Sequence, residues 1–155
     1  MLSDRLVRMI EQHAEELTRA LVENLQSNLR TASYHRLSRG AIHDRAHNVY
    51  KDLGLWLNSK AEDDIEASYT ELGKEREAEG IPISEVVYAL TLTKYHLRDY
   101  IRAAGLVDSA VELYQEQELH QVLDHFFDKA IYYTVRAYER AANRKEATGT
   151  VKRAR

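Results

Sequence analysis

The side chains in this sequence best suited to chemistry are its seven histidines, since there is no cysteine to add thiolate or disulfide chemistry. His43 and His47 stand four residues apart with Asp44 between them. On a helix that spacing puts both imidazoles on one face, where they can share a divalent metal. A transition-metal centre needs further ligands from elsewhere, and both histidines flank an apolar stripe rather than lying in it. They are the chain's nearest approach to a metal pair, and the expectation is boundary histidines touching water. A carboxylate di-iron bundle needs two Glu-x-x-His pairs. The chain has none, and Asp44-x-x-His47 is the nearest approach. His120, Asp124 and Asp128 follow one another at four-residue steps and read as a solvated or partner-facing strip. His96, between Tyr95 and Leu97, could hold haem iron in a globin-like fold, but reads first as a partly buried structural histidine. Neither His96 nor His125 lies in a stretch resembling a phosphotransfer box. There is no Gly-x-Ser-x-Gly elbow and no Gly-x-x-x-x-Gly-Lys phosphate loop. No catalytic residue and no cofactor are expected.

Ten tyrosines against two phenylalanines are the other chemical peculiarity. Tyrosine brings apolar area and a hydroxyl that seeks a partner. Trp56, Tyr88, Tyr95, His96 and Tyr133, with Tyr132 beside them, are therefore the expected lining of a ligand pocket, the same tyrosines serving otherwise as edges of the core.

These side chains must be carried by helices. Leu6, Ile10, Leu17, Leu21 and Leu25 step by four or seven and predict one helix over about residues 3–29. Residues 30–36 read as a loop. Ser38 is a good N-cap, and Ile42, Ala46, Val49, Tyr50, Leu53, Trp56 and Leu57 behind it predict a second helix that buries the only tryptophan. A third starts at a capping box of Ser59 and Glu62. It carries a thin stripe of Ile65, Tyr69 and Leu72, predicts an outside position, and ends at Gly80 in a left-handed cap. Pro82 opens a fourth, with Val86, Val87, Leu90, Leu97 and Ile101 inward and Ala103-Ala104-Gly105 closing it. A second capping box, Ser109 with Glu112, opens a last helix to about Asn143, with a break expected at Gln115-Glu116-Gln117-Glu118. Leu119, Leu123, Phe126, Ala130, Tyr133 and Ala137 have heptad-like spacing and are the expected dimer or output seam. Val122, Phe127, Ile131, Val135 and Tyr138 add a second apolar flank, so this helix must be nearly surrounded.

The sum is an all-α, single-domain bundle of about five helices with a long C-terminal helix, a globin-like arrangement without haem being the alternative. The 155 residues suit one domain, and a chain of this size buries roughly 68–70% of its unfolded surface. Six glycines and one proline are too few for the turns of an all-β fold. Residues 144–155 carry five basic side chains against Glu146 alone, which leaves the rest of the chain at −7 within a net −3. An acidic body does not suit direct nucleic-acid binding. No apolar run approaches a membrane span and no signal-peptide core opens the chain, so no membrane partner is expected and a cytoplasmic setting is the natural reading. Residues 1–142 are read as a helical sensory or regulatory domain, and 143–155 as a basic, disordered tail or a linker to an output domain.

The stretch Leu72-Gly73-Lys74-Glu75-Arg76, then Glu79-Gly80-Ile81-Pro82-Ile83-Ser84-Glu85-Val86-Val87-Tyr88-Ala89-Leu90, resembles the amino-terminal domain of RsbRD-type proteins, relatives of the stressosome co-antagonists. His13-Ala14-Glu15-Glu16-Leu17 and the segment from Tyr34 to Ser38 are similar too, so that the likeness spans about residues 3–142. The resemblance implies a homodimeric, all-α input domain that passes a signal to an output domain or a partner signalling protein, and supplies no catalytic motif. The expected function is therefore non-catalytic sensory input of bacterial signal transduction, with an unknown small ligand in view. A metal- or haem-binding bundle and a histidine phosphotransfer module are the alternatives.

Overall fold

Leu6 and Ile10 on helix α1 (Leu2–Gln12) and Leu21 and Leu25 on α2 (Ala14–Ser27) are buried on one face, as their spacing requires, but the helix is broken between them. At His13 the backbone leaves the helical region (φ −106°, ψ 18°). The imidazole Nδ1 donates to the Met9 carbonyl at 2.8 Å and lies 3.1 Å from the Tyr100 hydroxyl. The structure, a computed structural model, describes residues 2–58, 61–104 and 107–154 and is helical throughout, with no strand among those residues. Among the described residues, no helix is long and apolar enough to cross a membrane.

Residues read as a loop form a 3-10 segment, Leu29–Arg36, kinked at Thr31. Side chains hold it. Thr31 Oγ1 donates to the Leu25 carbonyl at 2.8 Å, and the Ser33 N–H and hydroxyl both donate to the Glu85 carboxylate. Ser38 caps α3 (Arg39–Lys51), its Oγ accepting the Ala41 N–H at 3.2 Å. The second predicted helix also breaks. Asp52 (φ −113°, ψ 31°) ends α3, and a single turn, α4 (Leu53–Trp56), follows at a new angle. The bend lets Gly54 lie against α1, where a Cβ would sit 3.5 Å from Val7. It also leaves Trp56 half-buried rather than enclosed, because the stripe of α3 ends before it.

Helix α5 (Glu62–Ala78) begins with Glu62, Asp63 and Asp64 at the positive end of its dipole. Ser59, the other half of the expected capping box, lies outside the described residues, as does Gly105. The far end of α5 is a Schellman cap. Gly80 takes φ 71°, its N–H donates to Glu77 and that of Ile81 to Arg76. Pro82 then caps α6 (Ile83–Ala103), which buries Val86, Leu90, Leu97 and Ile101. Ser109 Oγ accepts the Glu112 N–H, and the Glu112 carboxylate reaches back to Asp108 N–H, opening α7 (Ala110–Ala154). The expected break at residues 115–118 is absent, since glutamine and glutamate are strong helix formers and here project outward or to the rim. The helix runs past Asn143 to Ala154. At 1.5 Å per residue its 45 residues span roughly 68 Å.

Helix α5 keeps an outer face, as its thin stripe suggested, with Asp63, Ala67, Glu71, Lys74 and Ala78 exposed, and its inner face lies along α7. It runs parallel to α7, with Glu62 paired to Lys129, Glu66 to Arg136 and Glu77 to Lys145 in the same order along both helices. At their crossing Gly73 replaces a side chain by backbone. A Cβ there would overlap the Thr134 carbonyl oxygen and come within 2.9 Å of the Ala137 Cβ. Helix α6 runs antiparallel to α7, its start held by the Tyr138 hydroxyl on the Ile81 carbonyl and its later turns by Arg98 on Asp124.

Candidate ligand cavity and signal relay

A cavity of about 80 Å³ lies among α2, α3, α5 and α6, with Trp56 of α4 at its side. Its walls are mostly aliphatic: Leu21 and Leu25, Ile42 and Val49, Leu72, Val86 and Leu90. The volume is well above the roughly 10–15 Å³ that admits one water. Its polar lining comprises Tyr34, Asn48, Ser68, Tyr69, Thr93 and two arginines. Arg45 donates to the Ser68 carbonyl at 3.1 Å and pairs with Glu75 at 2.9 Å. Arg76 is 4% exposed; its Nη1 meets both Glu79 oxygens at 3.0 Å, its guanidinium lies over the Tyr34 ring, and its Nε–H has no partner. A buried donor without an acceptor is costly, about 1–3 kcal/mol. Burial also pushes the phenols of Tyr34 and Tyr69 above the ordinary tyrosine range, so both remain protonated wall groups. The cavity therefore offers apolar walls and a spare donor at one side.

Of the five residues expected to line a pocket, Trp56 lines this cavity and the other four do not. Tyr88 accepts from Arg30, and Tyr95 is 49% exposed under the Lys94 ammonium. His96 Nε2 faces the Asn24 amide at 3.1 Å, and burial holds its pKa below the ordinary histidine value, so the neutral ring accepts the amide N–H. The Tyr133 hydroxyl donates to Glu62, and this bond to a carboxylate pushes its pKa up to about 12. Tyr88, His96 and Tyr133 each tie one element to another, while Tyr95 lies on the surface of α6. The charged lining residues, Arg45 and Arg76, are not among those the sequence singled out. The usable signal was the i, i+3, i+7 spacing of Tyr69, Leu72 and Arg76, which puts the arginine on the apolar face of α5.

The His43–His47 pair finds its third partner on α2. Glu15 Oε2 lies 3.0 Å from His43 Nε2 and 3.6 Å from His47 Nε2. The two rings are stacked at 5.1 Å with planes only 16° apart. A metal lies in the plane of each imidazole it binds, and nearly parallel planes do not meet at one ion. Among the described residues no group of three or more histidines and carboxylates is arranged to hold a metal. The cluster is an ion-pair clamp between α2 and α3. The His120–Asp124–Asp128 strip is divided: His120 turns to Glu116 and Asp124 to Arg98 and Lys94 of α6, while Asp128 is exposed.

The α7 residues expected as a dimer or output seam are largely covered within this chain. Leu119, Leu123, Phe126, Ala130 and Ala137 are buried within the protomer and Tyr133 partly so, because α1, α5 and α6 surround this face. The large apolar side chains that α7 leaves exposed, among the described residues, are Val111, Leu113, Tyr114, Val122 and Tyr132. Helix α5 joins cavity to α7. Ser68, Tyr69, Leu72 and Arg76 face the cavity, while Glu62, Glu66, Gly73 and Glu77 meet α7.

Residues 3–140 match the family model described as the histidine kinase N-terminal domain. No curated protein and no solved structure matches the chain. The match agrees with the RsbRD-type resemblance at the coarser level of a sensory amino-terminal domain. It runs from α1 through most of α7, across every element that lines the cavity. The chain therefore belongs to the histidine kinase N-terminal family.

Proposed function

We propose that this chain is a non-catalytic sensory input domain that senses a small molecule in its cavity and passes the state of that cavity through α5 to α7. The observation that carries the reading is the double use of α5, one face being cavity wall and the other lying on the α7 backbone at Gly73. A bound molecule can move α7 only by its difference in affinity for two packings. The apolar walls and the spare Arg76 donor suit a small, mostly apolar molecule with one hydrogen-bond acceptor. The turns of α7 beyond the end of α5 carry the displacement to an output domain or partner signalling protein. The RsbRD-type resemblance of residues 72–90 supports a stressosome-like partner as the finer form of this reading. A homodimer using the outer flank of α7 and a cytoplasmic setting belong to the same proposal.

The test is a fusion of this chain ahead of a histidine kinase core, in frame with α7. Ala89 lines the cavity, and Ala89→Leu fills it in place of a ligand. The expected result is an altered autophosphorylation rate with unchanged helical circular dichroism. An unaltered rate in a folded Ala89→Leu fusion contradicts the reading.

A further inference from the structure

Trp56 and Ser68 belong at once to the wall of the cavity and to an outer cleft of about 390 Å³ bounded by Asp52, Leu55, Ala61 and Asp64. Trp56 also closes a separate hollow of about 80 Å³ against Leu57, Val122 and Phe126. The indole is thus a partition among three spaces. Little holds it there. Its Nε1–H donates to the Asn48 carbonyl at 3.1 Å, and its ring meets Tyr69 edge-on and Phe126 at a tilt. The Asn48 carbonyl also accepts the Asp52 N–H, so it keeps a partner when the indole leaves. The residue sits at the end of the single turn α4, hung from the non-helical Asp52, and the hollow beside it gives the ring somewhere to go. Leu55, 70% exposed, makes an apolar lip on the outer cleft.

We propose that Trp56 is the gate of the cavity: a small apolar molecule passes from the Leu55 cleft when the indole leaves the Asn48 carbonyl and swings into the neighbouring hollow. This rests on the reading of the cavity as the input site. Ser68, the other shared wall residue, is too small to bar the passage alone. Gate and binding wall are then distinct functions, and the gate sets the rate of exchange more than the affinity.

Xenon is the probe, its exchange measured by NMR on the full chain, with methyl shifts at Ala46 and Ala89 reporting that it occupies this cavity. Trp56→Ala removes the partition, and Trp56→Phe keeps a ring but loses the indole N–H. The expected result is exchange faster by about tenfold or more in Trp56→Ala, the effect of taking one hydrogen bond and its ring contacts out of the barrier. A smaller acceleration is expected in Trp56→Phe. If Trp56→Ala loses its helical circular dichroism, Trp56→Phe carries the comparison alone. Xenon bound in the wild type but exchanging at the same rate in the folded variants overturns the gate and leaves the cavity reading standing. Xenon absent from the cavity in every variant overturns both.

Discussion

His43, His47 and Glu15 show how a cluster of chemistry-bearing residues can be legible in part. The four-residue spacing of the histidines is written locally, but the carboxylate that receives both Nε2 atoms is 28 residues from His43 in sequence, and the stacking of the rings depends on how α2 meets α3. The clamp has a pH signature. Hydrogen bonds to Asp44 and Glu15 raise the His43 pKa above its ordinary 6.5, and the His43 bond lowers that of Glu15 below its ordinary 4.5. The histidine contribution is fully present below 6.5 and is lost as pH rises through the raised value; the carboxylate contribution is present above 4.5 and is lost as pH falls through the lowered one. The difference in Tm between wild type and Glu15→Gln is therefore expected to peak between 4.5 and 6.5 and shrink on both sides. A difference that stays constant from well below pH 4.5 to well above pH 6.5 contradicts the clamp. Exposure keeps the effect small. Tyr50 lies deeper, fully buried, its hydroxyl donating to the Thr93 carbonyl at 3.0 Å. Tyr50→Phe is expected to lower stability by about 1 kcal/mol in urea unfolding. Arg76 escaped the sequence reading because arginine is ordinarily exposed; only the paired Glu79 and the Tyr34 ring make its burial tolerable.

Apolar spacing locates whole helices better than it locates their breaks. Ser38, Gly80, Pro82 and Ser109 act as caps at the positions their chemistry demands. The breaks at His13 and Asp52 carry no glycine or proline, being set by a side-chain bond to Met9 and by the fit of Gly54 against α1. Helix α5 is peripheral, as its thin stripe implies, but periodicity counts side-chain bulk and does not show how closely it approaches α7. That approach is set by Gly73, where the missing Cβ lets α5 meet the α7 backbone. Two glycine substitutions separate these effects. Gly73→Ala is expected to destabilise by about 1–3 kcal/mol through overpacking and to push α5 from α7. Gly40→Ala, with nothing within 4 Å of the new Cβ in α3, is expected to stabilise by about 0.5–1 kcal/mol. Equal changes in urea midpoint would contradict the crossing.

At the scale of the whole molecule, the two apolar flanks of α7 imply a nearly surrounded helix, but α7 keeps an exposed stripe through Val111, Tyr114, Val122 and Tyr132. Both flanks turn largely inward, Leu123 and Ala130 of one and Phe127 of the other being fully buried, because α1, α5 and α6 land on them. The proposed dimer is left with the exposed stripe. Val122→Glu with Tyr132→Glu is expected to convert a dimer to a monomer by light scattering without loss of helix; an unchanged mass contradicts the outer seam. The central claim is that cavity and α7 are coupled through α5. It is tested most directly by the distance between spin labels on α5 and α7. The chain has no cysteine, so Lys74→Cys and Asn143→Cys, both exposed, give two unique labels. With Ala89→Leu filling the cavity, verified by loss of xenon binding, the distance is expected to shift by about 1–2 Å, the scale of helix displacements in switching proteins. A filled cavity with an unchanged distance distribution would contradict the account.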